Sequence, residues 1–191
     1  RSVPIITFIN KIDREGREPF ELLDEIAEKL ALDTAPMSWP VGMGGLFEGV
    51  YDFEENELYL PEGDSKEFQG KTVKVDGPED EKLSEYLSAD GVARVAEEGL
   101  LAREGYAPFD FEAYRNGDLT PVYFGSALKE FGVTAIIDAI AKYAPAPRPQ
   151  PTDEGEIAPD RDEVTGFIFK VQANMDPNHR DRIAFMRQVS G

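Results

Sequence analysis

A buried strand followed by a polar loop and an amphipathic helix occurs twice in this chain, and this arrangement limits the fold more than any other feature. The first unit starts with the apolar run 3–9 and continues into a helix that opens at Glu18-Pro19 and reaches about Leu32. Its apolar residues recur at spacings of three and four, which buries one face. The second unit is the apolar run 120–125 followed by a helix over 134–143. Strand–loop–helix units in this order predict an α/β fold with a parallel sheet and helices.

The loop after the first strand carries the string Asn10-Lys11-Ile12-Asp13. The carboxylate of Asp13 can accept two hydrogen bonds from the N1–H and the exocyclic amino group of guanine, a pair of donors that adenine lacks. The Lys11 stem can lie over the face of the base, and Asn10 can brace the loop. The alternative is a solvated loop after a strand, since such a string occurs by chance in roughly a few per cent of chains of this length.

The tripeptide Ser126-Ala127-Leu128 follows the second strand. In GTP-binding domains a Ser-Ala-x turn at this place presents a backbone N–H to guanine O6, and a small residue such as Ala127 lets the backbone approach closely. Alone the tripeptide is an ordinary strand–helix turn, and its meaning comes from its order after a strand and downstream of Asn-Lys-x-Asp. We therefore predict a guanine site that comprises Asn10, Lys11, Asp13, Ser126, Ala127 and Leu128.

The sequence contains no G-x-x-x-x-G-K-[ST] loop that could cradle phosphates, and no D-x-x-G turn placed to sense a γ-phosphate. The glycine-rich segment 42–45 has no Lys-Ser/Thr after it and is predicted to be a turn between strands. No catalytic residue can therefore be named, and we expect the chain alone to be inactive. Because it begins at Arg1 close to a strand and stops just after another, it has the character of a fragment of a longer protein.

Composition and charge limit the kinds of protein and of functional site that the chain can represent. The absence of cysteine excludes disulfides and thiolate chemistry and fits a cytoplasmic protein, and the single histidine, His179, makes a histidine-based metal site improbable. No apolar run approaches the length of a membrane span. The net charge is −18, and residues 46–118 carry 20 acidic against 7 basic side chains. This stretch should repel DNA and RNA; it could attract a basic protein or serve as a solvated surface.

The order of the predicted elements indicates three segments. Residues 1–144 form a partial GTP-binding domain that carries an inserted α+β subdomain at about 35–118, because some 80 residues are too many for one β/α connection. Within the insert we predict short strands at 37–41, 46–52, 57–60 and 72–75 and helices at 80–89, 91–103 and 108–115. Residues 145–163 form a proline-rich and acidic linker. Residues 164–191 start a second domain, in which the alternating strands 165–173 and 182–189 open a β-barrel, since two strands cannot bury a core alone.

With these motifs, the insert and the proline linker, the chain resembles the translocase-like group of translation GTPases over essentially all its length. Within that group, segments 39–52 and 167–187 resemble bacterial peptide-chain release factor three, the class II release factor. The elongation translocase is similar at 10–13, 125–127 and 47–52 but has no counterpart of the His-Arg-Asp-Arg string at 179–182. The resemblance implies the C-terminal half of a P-loop GTPase domain followed by the start of a β-barrel domain.

The resemblance also implies a function. Release factor three binds GDP or GTP with Mg²⁺, acts on the ribosome, and uses GTP binding and hydrolysis to remove class I release factors. The phosphate loop and the Mg²⁺ ligands would precede Arg1. Arg180 and Arg182 are candidate ribosome contacts, weighed evenly against ordinary surface charge. The alternatives are a fragment of an elongation translocase or ribosomal-protection GTPase, or, in another class, a non-enzymatic acidic docking module.

Overall fold

The structure is a computed structural model that describes residues 3–61, 70–129, 131–153, 155–173 and 182–191. The chain divides into two compact units, Arg1–Ala144 and Pro145–Gly191. The strands are β1 Thr7–Asn10, β2 Asp33–Pro36, β3 Ser38–Val41, β4 Gly49–Asp52, β5 Glu57–Leu60, β6 Lys71–Lys74, β7 Leu119–Gly125, β8 Gln150–Thr152, β9 Gly155–Ile157, β10 Thr165–Ala173 and β11 Arg182–Ser190. The α-helices are α1 Pro19–Leu30, α2 Ala89–Gly105, α3 Phe111–Asn116 and α4 Val133–Tyr143. Three short 3₁₀-helices are Gly44–Leu46, Glu81–Glu85 and Ala127–Lys129.

A three-stranded parallel sheet in the order β1-β7-β2 lies at the centre of the first unit. Every residue of β7 is buried, as expected for a parallel strand covered on both faces. Successive side chains of the strand point to opposite faces, so Val122 and Phe124 join one core and Leu119 and Tyr123 another. The first core contains Leu23 of α1, and the second contains Ala139 of α4. The predicted α/β fold with a parallel sheet and helices is confirmed.

Helix α1 follows the sequence prediction closely. It opens at Pro19, whose fixed φ suits the first turn and whose missing N–H is not needed there. It ends at Leu30, two residues before the predicted end, because Ala31 takes a left-handed backbone with a φ of 53°. Arg17 and Lys29 both pair with the Glu25 carboxylate on its exposed surface.

A four-stranded antiparallel sheet in the order β3-β4-β5-β6 follows β2 after a single residue, Met37. The Met37 N–H donates to the Val122 carbonyl (2.9 Å), and the Ser38 hydroxyl accepts from the Phe124 N–H (3.0 Å). The antiparallel sheet is therefore fastened to the central strand of the parallel sheet. The four strands were predicted; β2 was not, and it lies across the predicted start of the insert at residue 35.

The antiparallel sheet contributes to two cores. Trp39 and Val50 pack with Val122 and Phe124 in the core that includes α1. A separate core is closed over the same sheet by α2 and the 3₁₀-helix that precedes it. Its buried members are Val41, Tyr51, Leu58, Val73, Val75, Leu83, Leu87 and Val95. The region therefore has a core of its own and a second core in common with the parallel sheet.

Capping residues define the helices of this region. Ser88 caps α2 by accepting from the Gly91 N–H (3.1 Å), and Asp110 caps α3 by accepting from the Ala113 N–H (2.7 Å). The predicted helix over 80–89 is limited to the short 3₁₀-helix Glu81–Glu85. Segment 46–52 was predicted to be one strand, but Leu46 belongs to a 3₁₀-helix and the strand starts at Gly49.

The second unit consists of two antiparallel hairpins. Strands β8 and β9 form a short hairpin inside the segment that was predicted to be a linker. Strands β10 and β11 are nine residues long each, pair with register shifts between Thr165 and Gly166 and between Ile168 and Lys170, and match the predicted strands. The predicted continuation into a β-barrel stays a prediction. Arg182 is exposed at the start of β11, and Arg180 lies outside the described residues.

Candidate functional site

Two loops meet at the carboxyl ends of β1 and β7. These strands are parallel neighbours in which Asn10 lies opposite Gly125, so the residues that follow each strand emerge at the same edge of the sheet. The Ile12 N–H donates to the Gly125 carbonyl (3.2 Å). The Ile12 side chain is buried in the core with Phe124, which anchors the first loop from below. The topology thus brings together two segments that are separated by more than 110 residues in the sequence.

Asn10 joins the two loops directly. Its side-chain oxygen accepts from the N–H of Lys11 and from the N–H of Ala127, both at 2.8 Å. Lys11 has a left-handed backbone with a φ of 70°, and its carbonyl accepts from the Arg14 N–H (3.0 Å) to close the turn. This turn directs the Lys11 side chain to the surface, where it is exposed. Asn10 therefore braces both its own loop and the neighbouring one.

Asp13 is the most enclosed charged group of the site, with 13% of its side chain exposed. Burial by itself raises the pKa of this carboxyl, but a hydrogen bond from the Ser126 side chain and the positive charge of Lys129 outweigh it, and the pKa is lowered. The Lys129 ammonium lies 3.4 Å from Oδ2 of Asp13. At neutral pH the group is a carboxylate that only accepts hydrogen bonds, as recognition of two neighbouring donors requires.

The second loop is held by its own backbone. The Ser126 N–H donates to the Phe131 carbonyl (2.9 Å), and the Phe131 N–H donates to the Ser126 carbonyl (3.0 Å). Ser126 is buried, Ala127 begins a short 3₁₀-helix, and Leu128 is 85% exposed. The structure thus brings Asn10, Asp13, Ser126 and Ala127 into one site. Lys11 and Leu128 stand at its surface.

The glycine-rich turn supports the first loop from the side. The Gly44 N–H donates to the Ile12 carbonyl (3.1 Å), and Gly44 has a φ of 58°. A Cβ at this position would lie 2.9 Å from the backbone nitrogen of Glu15, so the close contact needs glycine. A cavity of about 490 Å³ opens between this turn, the residues after Asp13 and helix α2. The turn predicted at 42–45 is present, and its support of the loop was not predicted.

Two contacts of Asp13 were missed by sequence reasoning, namely those with the Ser126 side chain and with Lys129. The available signal was a lysine directly after Ser-Ala-Leu, in a turn expected beside the Asp13 loop. Such a lysine becomes informative only when the parallel pairing of β1 and β7 is known. The charge partner of Asp13 is therefore a structural finding.

The described residues lack the groups that a complete nucleotide site requires. Within them, no cluster of three or more His, Asp and Glu side chains could hold a metal ion. Since the sequence has no phosphate loop either, the described residues do not fit the phosphates of a nucleotide or Mg²⁺. Among the helices that the structure describes, none is long and apolar enough to cross a membrane.

The comparison with protein families decides the family. The family model for the elongation factor Tu GTP-binding domain matches residues 1–146 of this chain. The chain belongs to this family. Residues 1–146 are thus part of a GTP-binding domain of the translation-factor type. The two loops described above lie at the edge of the parallel sheet of this domain.

A crystal structure of a protein from Thermus thermophilus has a similar fold, with a TM-score of 0.59 and 22% sequence identity. The similarity covers 100% of this chain and 28% of that protein. The chain therefore spans little more than a quarter of the length of this structural neighbour. At this level of identity the likeness concerns the fold alone.

Proposed function

We propose that residues 1–146 supply the guanine-recognition part of a GTP-binding domain, with Asp13 as the residue that selects the base. One observation carries this proposal: the loops after β1 and β7 are locked together by the bond from the Ala127 N–H to Asn10, beside an enclosed and ionised Asp13. An arrangement of this kind presents two neighbouring acceptor positions at one edge of the sheet. Guanine has the matching pair of donors, and adenine does not.

Each residue of the site has a distinct role in this proposal. Asp13 accepts from the N1–H and the amino group of the base, and the Lys11 stem covers one face of the ring. Asn10 keeps the two loops in register. Guanine O6 accepts from the backbone N–H of Leu128 in the 3₁₀-helix, because the Ala127 N–H already donates to Asn10. Because these contacts reach only the base, the isolated chain should not bind GDP or GTP at micromolar ligand.

We further propose that the longer protein is a GTPase related to bacterial release factor three, which acts on the ribosome in the cytoplasm with GTP and Mg²⁺ and removes class I release factors. The support is the sequence resemblance of segments 39–52 and 167–187. Exposed Arg182 at the start of β11 suits a contact with ribosomal RNA, together with Arg180. An elongation translocase, a ribosomal-protection GTPase and an acidic docking module are the competing proposals.

The test of base selection is Asp13→Asn in the full-length protein. The amide can donate toward the 2-carbonyl of xanthine but no longer accepts from both guanine donors. GTP affinity should fall by several kcal/mol while xanthosine triphosphate gains affinity. Asp138→Asn makes the same chemical change on the exposed surface of α4 and should leave both affinities as in the wild type. A mutant that retains wild-type GTP affinity and excludes the xanthine nucleotide would show that Asp13 does not select the base.

A further inference from the structure

Lys129 is placed beside Asp13 by the same turn that carries Ala127. It is the last residue of the 3₁₀-helix Ala127–Lys129, and its N–H donates to the Ser126 carbonyl (3.1 Å). Its ammonium lies 3.4 Å from Oδ2 of Asp13, with 43% of the lysine side chain exposed. The backbone of the second loop thus sets the position of a charge that acts on the first loop.

The pairing leaves acceptor capacity on Asp13 for a ligand. An ionised carboxylate has about four lone-pair positions. The Lys129 ammonium, the Ser126 side chain and the backbone N–H of Asp13 use part of this capacity, and the rest is available to donors of a ligand. A carboxylate that is held by protein groups loses less rotational freedom when a base binds. The arrangement therefore suits a ligand that donates N–H hydrogen bonds.

Among the described residues, the loop of Asp13 itself carries further charged side chains. Lys11, Arg14 and Glu15 are exposed there, and the glycine-rich turn 42–45 that packs against the loop has no titratable side chain. The positive charge of Lys129 lowers the pKa of Asp13. Its loss should therefore be felt at Asp13 specifically.

We propose that Lys129 is a positioning residue for guanine recognition: with Ser126 it holds the Asp13 carboxylate charged and in one orientation, so that its remaining acceptor capacity meets the base. This inference rests on the proposed guanine site. It adds a determinant that lies outside both sequence motifs and that acts through Asp13 without touching the base.

The first part of the test follows the side-chain carboxyl carbon of Asp13 by NMR during a pH titration of the 191-residue chain. In Lys129→Met the titration midpoint should move to higher pH, because the stabilising charge is gone. Lys129→Arg retains the charge and should restore the wild-type midpoint. Lys142→Met removes another ion-paired lysine, whose partner is Glu54, and should leave Asp13 unchanged.

The second part adds guanosine monophosphate at millimolar concentration and follows the amide signals of Ile12 and Ala127, with adenosine monophosphate as the control ligand. Lys129→Met should bind the guanine nucleotide about two- to fivefold more weakly, the range expected for a half-exposed ion pair. The loss should grow as the pH is lowered, and Lys129→Arg should recover the affinity.

The outcomes separate the two proposals. If the wild type prefers the guanine nucleotide but Lys129→Met changes neither the Asp13 midpoint nor the affinity, the role of Lys129 is overturned and the guanine site stands. Tighter binding by Lys129→Met would also overturn it, because the lysine would then compete with the base. Equal or absent responses to the two nucleotides would overturn the guanine site, and the positioning role with it.

Discussion

Replacement of Asn10 by Ala should loosen the contact between the two loops of the site. The Asn10 oxygen accepts two backbone N–H groups, one from Lys11 and one from Ala127. A neutral hydrogen bond contributes about 0.5–1.5 kcal/mol net, and both bonds lie at an exposed position where water can replace the lost acceptor. Of the two bonds, the one from the Ala127 N–H joins the loops, so the contact between them loses about 0.5–1.5 kcal/mol. This corresponds to roughly a 2- to 10-fold change in the equilibrium between closed and open loops.

Native-state hydrogen exchange of the Ala127 amide reports this bond directly, because the amide is protected only while it donates to Asn10. In Asn10→Ala the amide loses its acceptor, so its exchange rate should rise by at least the stated factor. Amides in the middle of β7 should change little, since their bonds are made within the parallel sheet. The effect is therefore local, and the chain should remain folded.

Asn10→Asp is the matched control. It preserves the size of the side chain and an acceptor oxygen, so the Ala127 amide should stay as protected as in the wild type or become more so. If Asn10→Ala leaves the exchange of the Ala127 amide unchanged, the bond between Asn10 and Ala127 does not hold the loops together. The account of how the site is assembled would then be wrong.

Two further predictions concern the same edge of the sheet. Gly125→Ala would place a Cβ 2.5 Å from the Phe131 carbonyl oxygen and 2.5 Å from a ring carbon of Phe8, and it should lower the free energy of unfolding by about 1–3 kcal/mol in thermal unfolding. The control is Gly16→Ala, whose added Cβ would meet nothing within 4 Å. Equal melting temperatures of the two variants would contradict the prediction. Folding lowers the pKa of Asp13 below its ordinary value of 3.8, so its ionisation stabilises the fold above that pH, and this contribution is lost as the pH falls through the folded-state pKa. The difference in unfolding free energy between wild type and Asp13→Asn should therefore shrink on acidification, and a difference independent of pH would exclude this linkage.

Elements with a strong local pattern were predictable. Helix α1 has a regular apolar spacing and a proline at its start, and the strands 57–60, 165–173 and 182–189 alternate or are bounded by turn residues. Strand β2 was missed because Asp33–Pro36 has neither an apolar run nor strict alternation. It forms because β7 offers it a parallel partner along its whole length, from Leu119 to Val122. A contact of that kind has no local signature.

The residues of the site could be predicted from the sequence, but the contacts between them could not. Both loops could be placed at strand ends from the sequence, and the chemistry of Asp13 follows from its side chain. The bond from the Ala127 N–H to Asn10 and the pairing of Lys129 with Asp13 join residues more than 110 positions apart. They depend on the register of β1 against β7, which a single sequence does not reveal. The β8–β9 hairpin was missed for a different reason, because Pro151 within it favours an extended linker.

The position of Trp39 has a spectroscopic consequence. It is the only tryptophan of the chain and is fully buried. The centroid of its ring system lies 4.7 Å from that of the Phe20 ring and 5.7 Å from that of the Phe124 ring. Its indole N–H donates to the Glu98 carboxylate at 3.3 Å. These three neighbours belong to α1, β7 and α2. Its emission therefore has a single origin, at the seam where both sheets and two helices meet. The emission wavelength depends on whether water reaches the indole ring. The fluorescence of Trp39 therefore reports whether the parallel and antiparallel sheets remain packed together.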